Sequence, residues 1–329
     1  MKGHFVISLD YELHWGFFDH RSIDGYYENL INVENVINRL VILSDQYNIK
    51  LTFATVGFLF AKDKAELIAY SPKNKPQYID KKLDPYSLFD KIGENEIEDP
   101  FHYANSIVQK INMNSNHEIG THTFSHYYCN EIGQSLNQFE DDLLAAKNIA
   151  KSKGVNLESI VFPRNMVRQQ YLEICYKHNI KSYRGTEKSY IYNIHPSKKQ
   201  YNWLFFRLLR ILDCYINITG HNTYKLKFLY RKDKIINLPS SRLLRPYYSA
   251  LKILEPLKIL RIKKGMRRAA KNNELFHLWW HPHNFGKNID KNIDCLEKIF
   301  KEYKRLNDEY QFTSETMTSL TNKILSANN

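Results

Sequence analysis

Two histidines four residues apart, in the stretch His122-Thr-Phe-Ser-His126, are the strongest chemical signal in the chain. On a helical turn that spacing sets two imidazoles side by side, which suits one first-row metal ion. A zinc-protease helix would carry Glu directly after the first histidine. Thr123 stands there instead, and the pair His117-Glu118 is followed by Thr121 rather than by a second histidine, so that chemistry is excluded. A lone pair at this spacing is also common as plain structure, so other ligands are needed. Asp10-Tyr11-Glu12 closes an apolar stretch, and the period-two alternation of a strand points both acids to one face. Two carboxylates aimed into one cavity repel unless a cation or an arginine lies between them; at a solvated strand end they need neither. His281, in Leu278-Trp-Trp-His281-Pro-His283, follows another apolar run. It is placed as a general acid or as the aromatic-walled edge of a sugar site, the plainer reading being a histidine at the core's edge. Arg164, in Phe162-Pro-Arg164-Asn165, sets a guanidinium at a strand end, where it can orient a carboxylate or simply face water.

Such residues act together only if the elements around them converge. Short apolar runs at 4–9, 50–56, 118–121, 159–162, 181–183, 234–238, 275–280 and 310–313 read as strands. Between them lie helical patterns around 33–41, 101–111, 135–149, 168–178 and 289–306, with a last helix from 314. Ser135 and Gln138 make a capping-box pattern ahead of the third of these. The repeated strand–helix order argues for a parallel sheet, open or closed into a barrel. In a barrel, chemistry gathers at the C-terminal ends of the strands, and Asp10, His122, Arg164 and His281 all fall there. One domain spanning 1–329 is expected. Residues 71–100, rich in Lys, Pro and Asp, read as a surface loop insertion; residues 190–272, aromatic and basic, read as an elaboration over the barrel mouth.

With 329 residues, 43% of them hydrophobic, disorder and fibrous repeats are excluded. No apolar run reaches the ~18 residues that span a bilayer. The opening apolar stretch is broken by Asp10, too short for a signal peptide, and the simplest expected address is the cytoplasm. Four scattered cysteines without a CxxC pair point to neither a disulfide framework nor a thiolate zinc site. The formal charge of +12 is uneven: residues 242–271 hold ten Lys/Arg against the single acid Glu255. Leu251, Leu254, Leu257 and Leu260 recur there at helical spacing. A basic amphipathic segment suits anionic lipid headgroups or a phosphorylated ligand, and equally a solvated helical face. No nucleic-acid module accompanies it, so no nucleic-acid partner is expected.

In chain order, an acid pair ending the first strand, HTFSH, an arginine after a later strand and LWWH resemble the polysaccharide deacetylases of carbohydrate esterase family 4. That family's motifs read TFDD, HSxxH or HTxxH, RxPY, DxxW and LxxH. The resemblance runs from the first strand through LTFATVG to the terminal FTSETM. It implies a distorted (β/α)7 barrel, here with a basic helical insertion near the mouth. It also implies Zn2+ or another divalent first-row ion held by Glu12, His122 and His126, with Asp10 as general base, His281 as general acid and Arg164 orienting Asp10. Tyr11 occupies the place of the family's second Asp, so Glu12 takes over as ligand. Pro163-Arg164-Asn165 reverses the RxPY order, and no DxxW is present to supply a partner for His281. In the implied reaction Asp10 takes a proton from water attacking an acetamide, a backbone N–H near Tyr127 or Tyr128 supports the oxyanion, and His281 protonates the leaving amine. Trp15, Tyr127, Trp279 and Trp280 would offer flat faces to a pyranose ring.

The expected substrate is an N-acetylated sugar, as a lipid- or nucleotide-linked precursor of a bacterial surface polysaccharide. It would be met at the inner face of the membrane, with 242–271 on anionic lipid. A deformylase or other C–N hydrolase on the same barrel, and a non-catalytic glycan- or lipid-binding barrel, are the alternatives.

Overall fold

The computed structural model describes residues 2–192 and 203–328. Among them the strands are β1 His4–Tyr11, β2 Thr52–Thr55, β3 Glu118–Thr121, β4 Ser159–Ile160, β5 Ser182–Tyr183, β6 Tyr224–Lys225, β7 Ile236–Asn237, β8 Arg242–Leu243, β9 Glu274–Trp280 and β10 Thr313–Glu315. The helices are α1 Tyr27–Ile31, α2 Val33–Gln46, α3 Lys64–Tyr70, α4 Asn105–Asn112, α5 Leu136–Ser152, α6 Gln169–Lys177, α7 Trp203–Leu212, α8 Glu255–Asn272, α9 Ile289–Tyr310 and α10 Met317–Ser326.

β1 is buried along its whole length, parallel to β9 on one side and to β10 and then β2 on the other. A strand covered on both faces is mostly apolar, and HFVISLDY supplies five apolar residues, while its buried His4, Ser8 and Asp10 are each hydrogen-bonded. Burying Phe5, Ile7 and Leu9 in this way stabilises the fold by ~1.5–3 kcal/mol each. Parallel pairing continues through β2, β3, β4, β5 and β7. One extended passage, 236–244, then joins the two edges. Leu238 and Ser240 donate to the carbonyls of Tyr183 and Gly185 on the β5 side, and Ser241 and Leu244 donate to those of His277 and Trp279 on the β9 side. The sheet curls back on itself with seven positions in the ring, the passage counting as one. This is the expected α/β architecture, a distorted (β/α)7 barrel, with β6 pairing antiparallel to the start of β9.

The parallel register brings the strand ends level. Leu9 lies opposite Trp280 and Thr55 opposite Thr121, so Asp10, His122 and His281 emerge at one end of the barrel. The capping box at Ser135 and Gln138 forms as expected and starts α5. α9 buries Leu296, Phe300, Tyr303 and Leu306 from the anticipated stripe.

Three expectations change. The strand expected at 310–313 begins at Thr313, because α9 runs on to Tyr310 and ends on Gln311 in a left-handed cap. Residues 190–272 are not merely an elaboration over the mouth: β7, β8 and the 236–244 passage close the ring, and α8 packs on α9 and β9 as part of the helical coat. Residues 193–202 of that stretch lie outside the described residues. The 71–100 insertion is irregular but not confined to the surface, since buried Tyr78 accepts a hydrogen bond at its hydroxyl from the N–H of Tyr128 (2.9 Å).

Candidate metal centre and catalytic site

HTFSH does not form a helical turn. Thr123 and His126 both take left-handed φ, 65° and 56°. Asp142 on α5 holds this conformation: its carboxylate accepts from the N–H groups of Phe124 (2.7 Å) and Ser125 (3.1 Å) and from the Ser125 hydroxyl (2.5 Å). A loop folded around a buried carboxylate turns both imidazoles the same way, with ring centroids 5.0 Å apart.

Glu12 has left the strand geometry of β1, and Leu13 behind it takes a left-handed φ of 48°. The turn is anchored by a buried chain in which His14 Nδ1 meets His102 Nε2 at 2.9 Å and His102 Nδ1 meets Asp99 at 2.8 Å. Gly16 leaves room for the side chain, since a Cβ there would lie 2.0 Å from Glu12 Cδ and Oε1. In this position Glu12 Oε2 is 3.2 Å from Nε2 of both His122 and His126. The three ligand atoms lie within 4.8 Å of one another, all on buried residues.

The donor set fits a cation. His122 Nδ1 is 2.8 Å from the Val161 carbonyl, an acceptor only, so Nδ1 carries the proton. In the neutral ring, Nε2 then turns a lone pair toward a carboxylate oxygen, which is unfavourable unless positive charge sits between them. Tetrahedral coordination by N and O ligands spaces neighbouring ligand atoms ~3.3 Å apart, close to the two separations of 3.2 Å. Burial opposes the charge on Glu12, and it is positive charge on the facing His281, His122 and His126 that holds its carboxyl well below the usual range, a part an ion would take between neutral rings. Burial lowers His126, favouring the neutral ring that a metal needs.

Asp10 lies beside this triad and is held by Arg184, not by Arg164. Arg184 Nη1 and Nη2 reach the two Asp10 oxygens at 2.6 and 2.8 Å, a buried bidentate pair. The same guanidinium bonds Ser8 Oγ (3.0 Å) and Asn165 Oδ1 (2.8 Å) and covers the Trp279 ring at 4.1 Å. Buried His277 supports Ser8 from behind at 2.9 Å. Burial opposes the Asp10 charge, and Arg184 overrides it, holding the carboxyl below its ordinary value. Arg164 sits in a left-handed turn that carries its side chain outward to Asp19 and Glu131. From the Pro163-Arg164-Asn165 stretch it is Asn165 that reaches the site.

His281 faces the acids across the cleft, Nε2 lying 3.7 Å from Asp10 and 3.5 Å from Glu12. Its side chain is 25% exposed against 6% or less for Asp10, Glu12, His122 and His126, so the site opens to solvent on the His281 side. The partner absent from the sequence motifs is Asn284, whose amide lies 3.4 Å from His281 Nδ1 and is held in turn by the Tyr26 hydroxyl. An amide serves both states of the ring, donating to Nδ1 when neutral and, turned over, accepting from it when charged.

Three of the four expected sugar-facing aromatics are core residues. Trp15 donates to the His102 carbonyl (2.8 Å), Tyr127 to the Ser135 carbonyl (2.8 Å), and Trp280 stacks on Phe285, all fully buried. Trp279 alone is partly exposed, edge-on to His281. The expected oxyanion donors are also committed, the Tyr127 N–H to Thr123 Oγ1 (2.7 Å) and the Tyr128 N–H to Tyr78. Sequence reading missed Arg184, although Tyr183-Arg184 presents the same signal as Arg164, an arginine at a strand end. Asp142 and Asn284 carried no signal of their own.

The chain matches no protein-family model and no curated protein. Among solved structures it is similar to a Mycobacterium smegmatis protein named as a polysaccharide deacetylase, with a TM-score of 0.60 at 10% identity over 100% of this chain and 92% of that one. A GH57-type branching enzyme from Pyrococcus horikoshii gives a TM-score of 0.53 at 12% identity, over 98% of this chain and 70% of the other. A 4-alpha-glucanotransferase from Thermococcus litoralis gives 0.52 at 9% identity, over 98% and 41%. What is shared at these identities is the fold, and it is the fold of the polysaccharide deacetylases.

Proposed function

We propose that this protein is a metal-dependent N-deacetylase acting on an N-acetylated sugar. The observation that carries the reading is one cluster: Glu12, His122 and His126 converge on a point, with Asp10 beside them and His281 across the opening. A divalent ion held by the three ligands supplies Lewis acidity toward an amide carbonyl and lowers the pKa of water toward ~7. Asp10, kept ionised and aimed by Arg184, accepts the proton of the attacking water. His281, at the solvent side and steadied by Asn284, donates a proton to the departing amine, which cannot leave as an anion. Trp279 lines the rim against the sugar ring. The substrate we favour is a lipid- or nucleotide-linked precursor of a surface polysaccharide, met at the cytoplasmic face of the membrane.

The test is metal content together with acetate and formate release from UDP-GlcNAc, chitooligosaccharides and polyprenyl-diphosphate glycans. One equivalent of metal is expected, lost in His122→Ala. Asp10→Asn and His281→Ala should keep the metal and lose roughly 10²–10⁴ in turnover. A protein that binds no divalent metal, or an Asp10→Asn variant as fast as wild type, would falsify the reading.

A further inference from the structure

Among the described residues, exposed apolar side chains gather on two neighbouring segments. α7 turns Phe205, Leu208, Leu212 and, just beyond its end, Ile216 outward, at 55%, 52%, 38% and 59% exposure. Their spacing of three and four residues makes one stripe, and a helix coating a soluble barrel ordinarily turns such a stripe inward. The second segment exposes Tyr248, Ile253, Leu257 and Leu260, between 40% and 83%. The two are joined: Asp213 at the end of α7 pairs with Arg242 (3.1 Å) and Arg261 (3.5 Å), and Arg245 reaches Cys214. Residues 244–254 follow the C-terminal end of β8, on the side where Asp10 and His281 emerge, and the end of α7 is held to that stretch through Asp213 and Cys214.

The charge on this surface has one sign. Arg242, Lys258 and Arg261, three of the ten cations of 242–271, are buried in ion pairs and unavailable to a partner. The two acids of these segments, Asp213 and Glu255, are buried in the same pairs. What remains exposed is positive: Arg207, Lys252 and Lys264, none of them paired with a carboxylate among the described residues. Outward apolar side chains set among unpaired cations match a lipid interface with anionic headgroups.

We propose that α7 and residues 244–264 form a docking surface for an anionic membrane, which presents the catalytic mouth to sugars carried on lipid. The surface stands without the deacetylase reading; only the lipid-linked substrate class rests on it. The test is co-sedimentation of the whole protein with phosphatidylcholine vesicles, with and without phosphatidylglycerol. Wild type should sediment with the anionic vesicles. Leu208→Glu/Ile253→Glu should weaken binding about tenfold or more, and Lys252→Gln/Lys264→Gln should bring anionic vesicles down toward the neutral ones. Both variants should keep wild-type melting temperature and acetate release from a soluble chitooligosaccharide. Wild type remaining in the supernatant, or a Glu variant binding as well as wild type, overturns the proposal. Dimers split by the Glu substitutions without vesicle binding also overturn it, and assign the patch to a second copy. Vesicle binding without acetate release from any substrate would sink the enzymatic reading and leave the docking surface intact.

Discussion

Arg164 and Arg184 follow adjacent strands, β4 and β5, which pair in parallel with Ile160 opposite Tyr183. Both stand at the end of the barrel where Asp10 and His281 emerge, and both are ion-paired. Arg184 comes straight off its strand, its N–H bonded to the Ile160 carbonyl, and its side chain points into the ring, where it is fully buried against Asp10. Arg164 comes after Pro163, in a left-handed turn, and its side chain keeps about a third of its exposure against Asp19 and Glu131. The same residue type at equivalent strand ends therefore does two jobs. What separates them is where the backbone sends the side chain, inward as a continuation of the strand or outward from a turn.

The largest effect should come from Arg184→Met, which leaves Asp10 buried without its partner. We expect destabilisation of ~3–5 kcal/mol in urea unfolding, since breaking a buried pair strands the other charge. Turnover should fall ~10²-fold or more as the carboxylate loses its aim, with metal content unchanged. Gly16→Ala should come next, because the new Cβ falls on the Glu12 carboxyl and must displace it. Metal affinity is expected to drop ~10–100-fold, as for other losses of ligand support, readable by competition with a chelator. Arg164→Met should cost less, about 1 kcal/mol, because its pairs with Asp19 and Glu131 lie near the surface where solvent screens them, and leave acetate release within a few-fold of wild type. Equal losses for the two arginine variants would erase the distinction drawn between the two strand ends.

A similar contrast runs through the whole site. The imidazole side comes from one stretch, 122–126, and the HTxxH pattern was legible because its residues are neighbours in the chain. What folds it, the carboxylate of Asp142, was not legible, since an acid inside an amphipathic helix looks like any solvated one until α5 packs on the loop. The carboxylate side is assembled from Ser8, Asp10, Asn165, Arg184 and His277, which only barrel closure brings together. The aromatics failed for a related reason: Trp279 and Trp280 are consecutive, and alternation along β9 sends one to the rim and the other into the core.

By itself, the sequence determined the alternation of strand and helix from β1 to β5, the β3 limits, the α5 cap and the residue types suited to hold a cation and move protons. These rest on local periodicity and short-range hydrogen bonding, which act within a few residues and so leave their mark in the chain. Tertiary structure alone decided which arginine holds Asp10, which amide steadies His281, which tryptophan faces the cleft, and which cations stay outside for a partner. Each depends on the direction in which a side chain leaves the closed sheet. For the arginine that holds Asp10, that direction is fixed by a contact between residues more than a hundred positions apart.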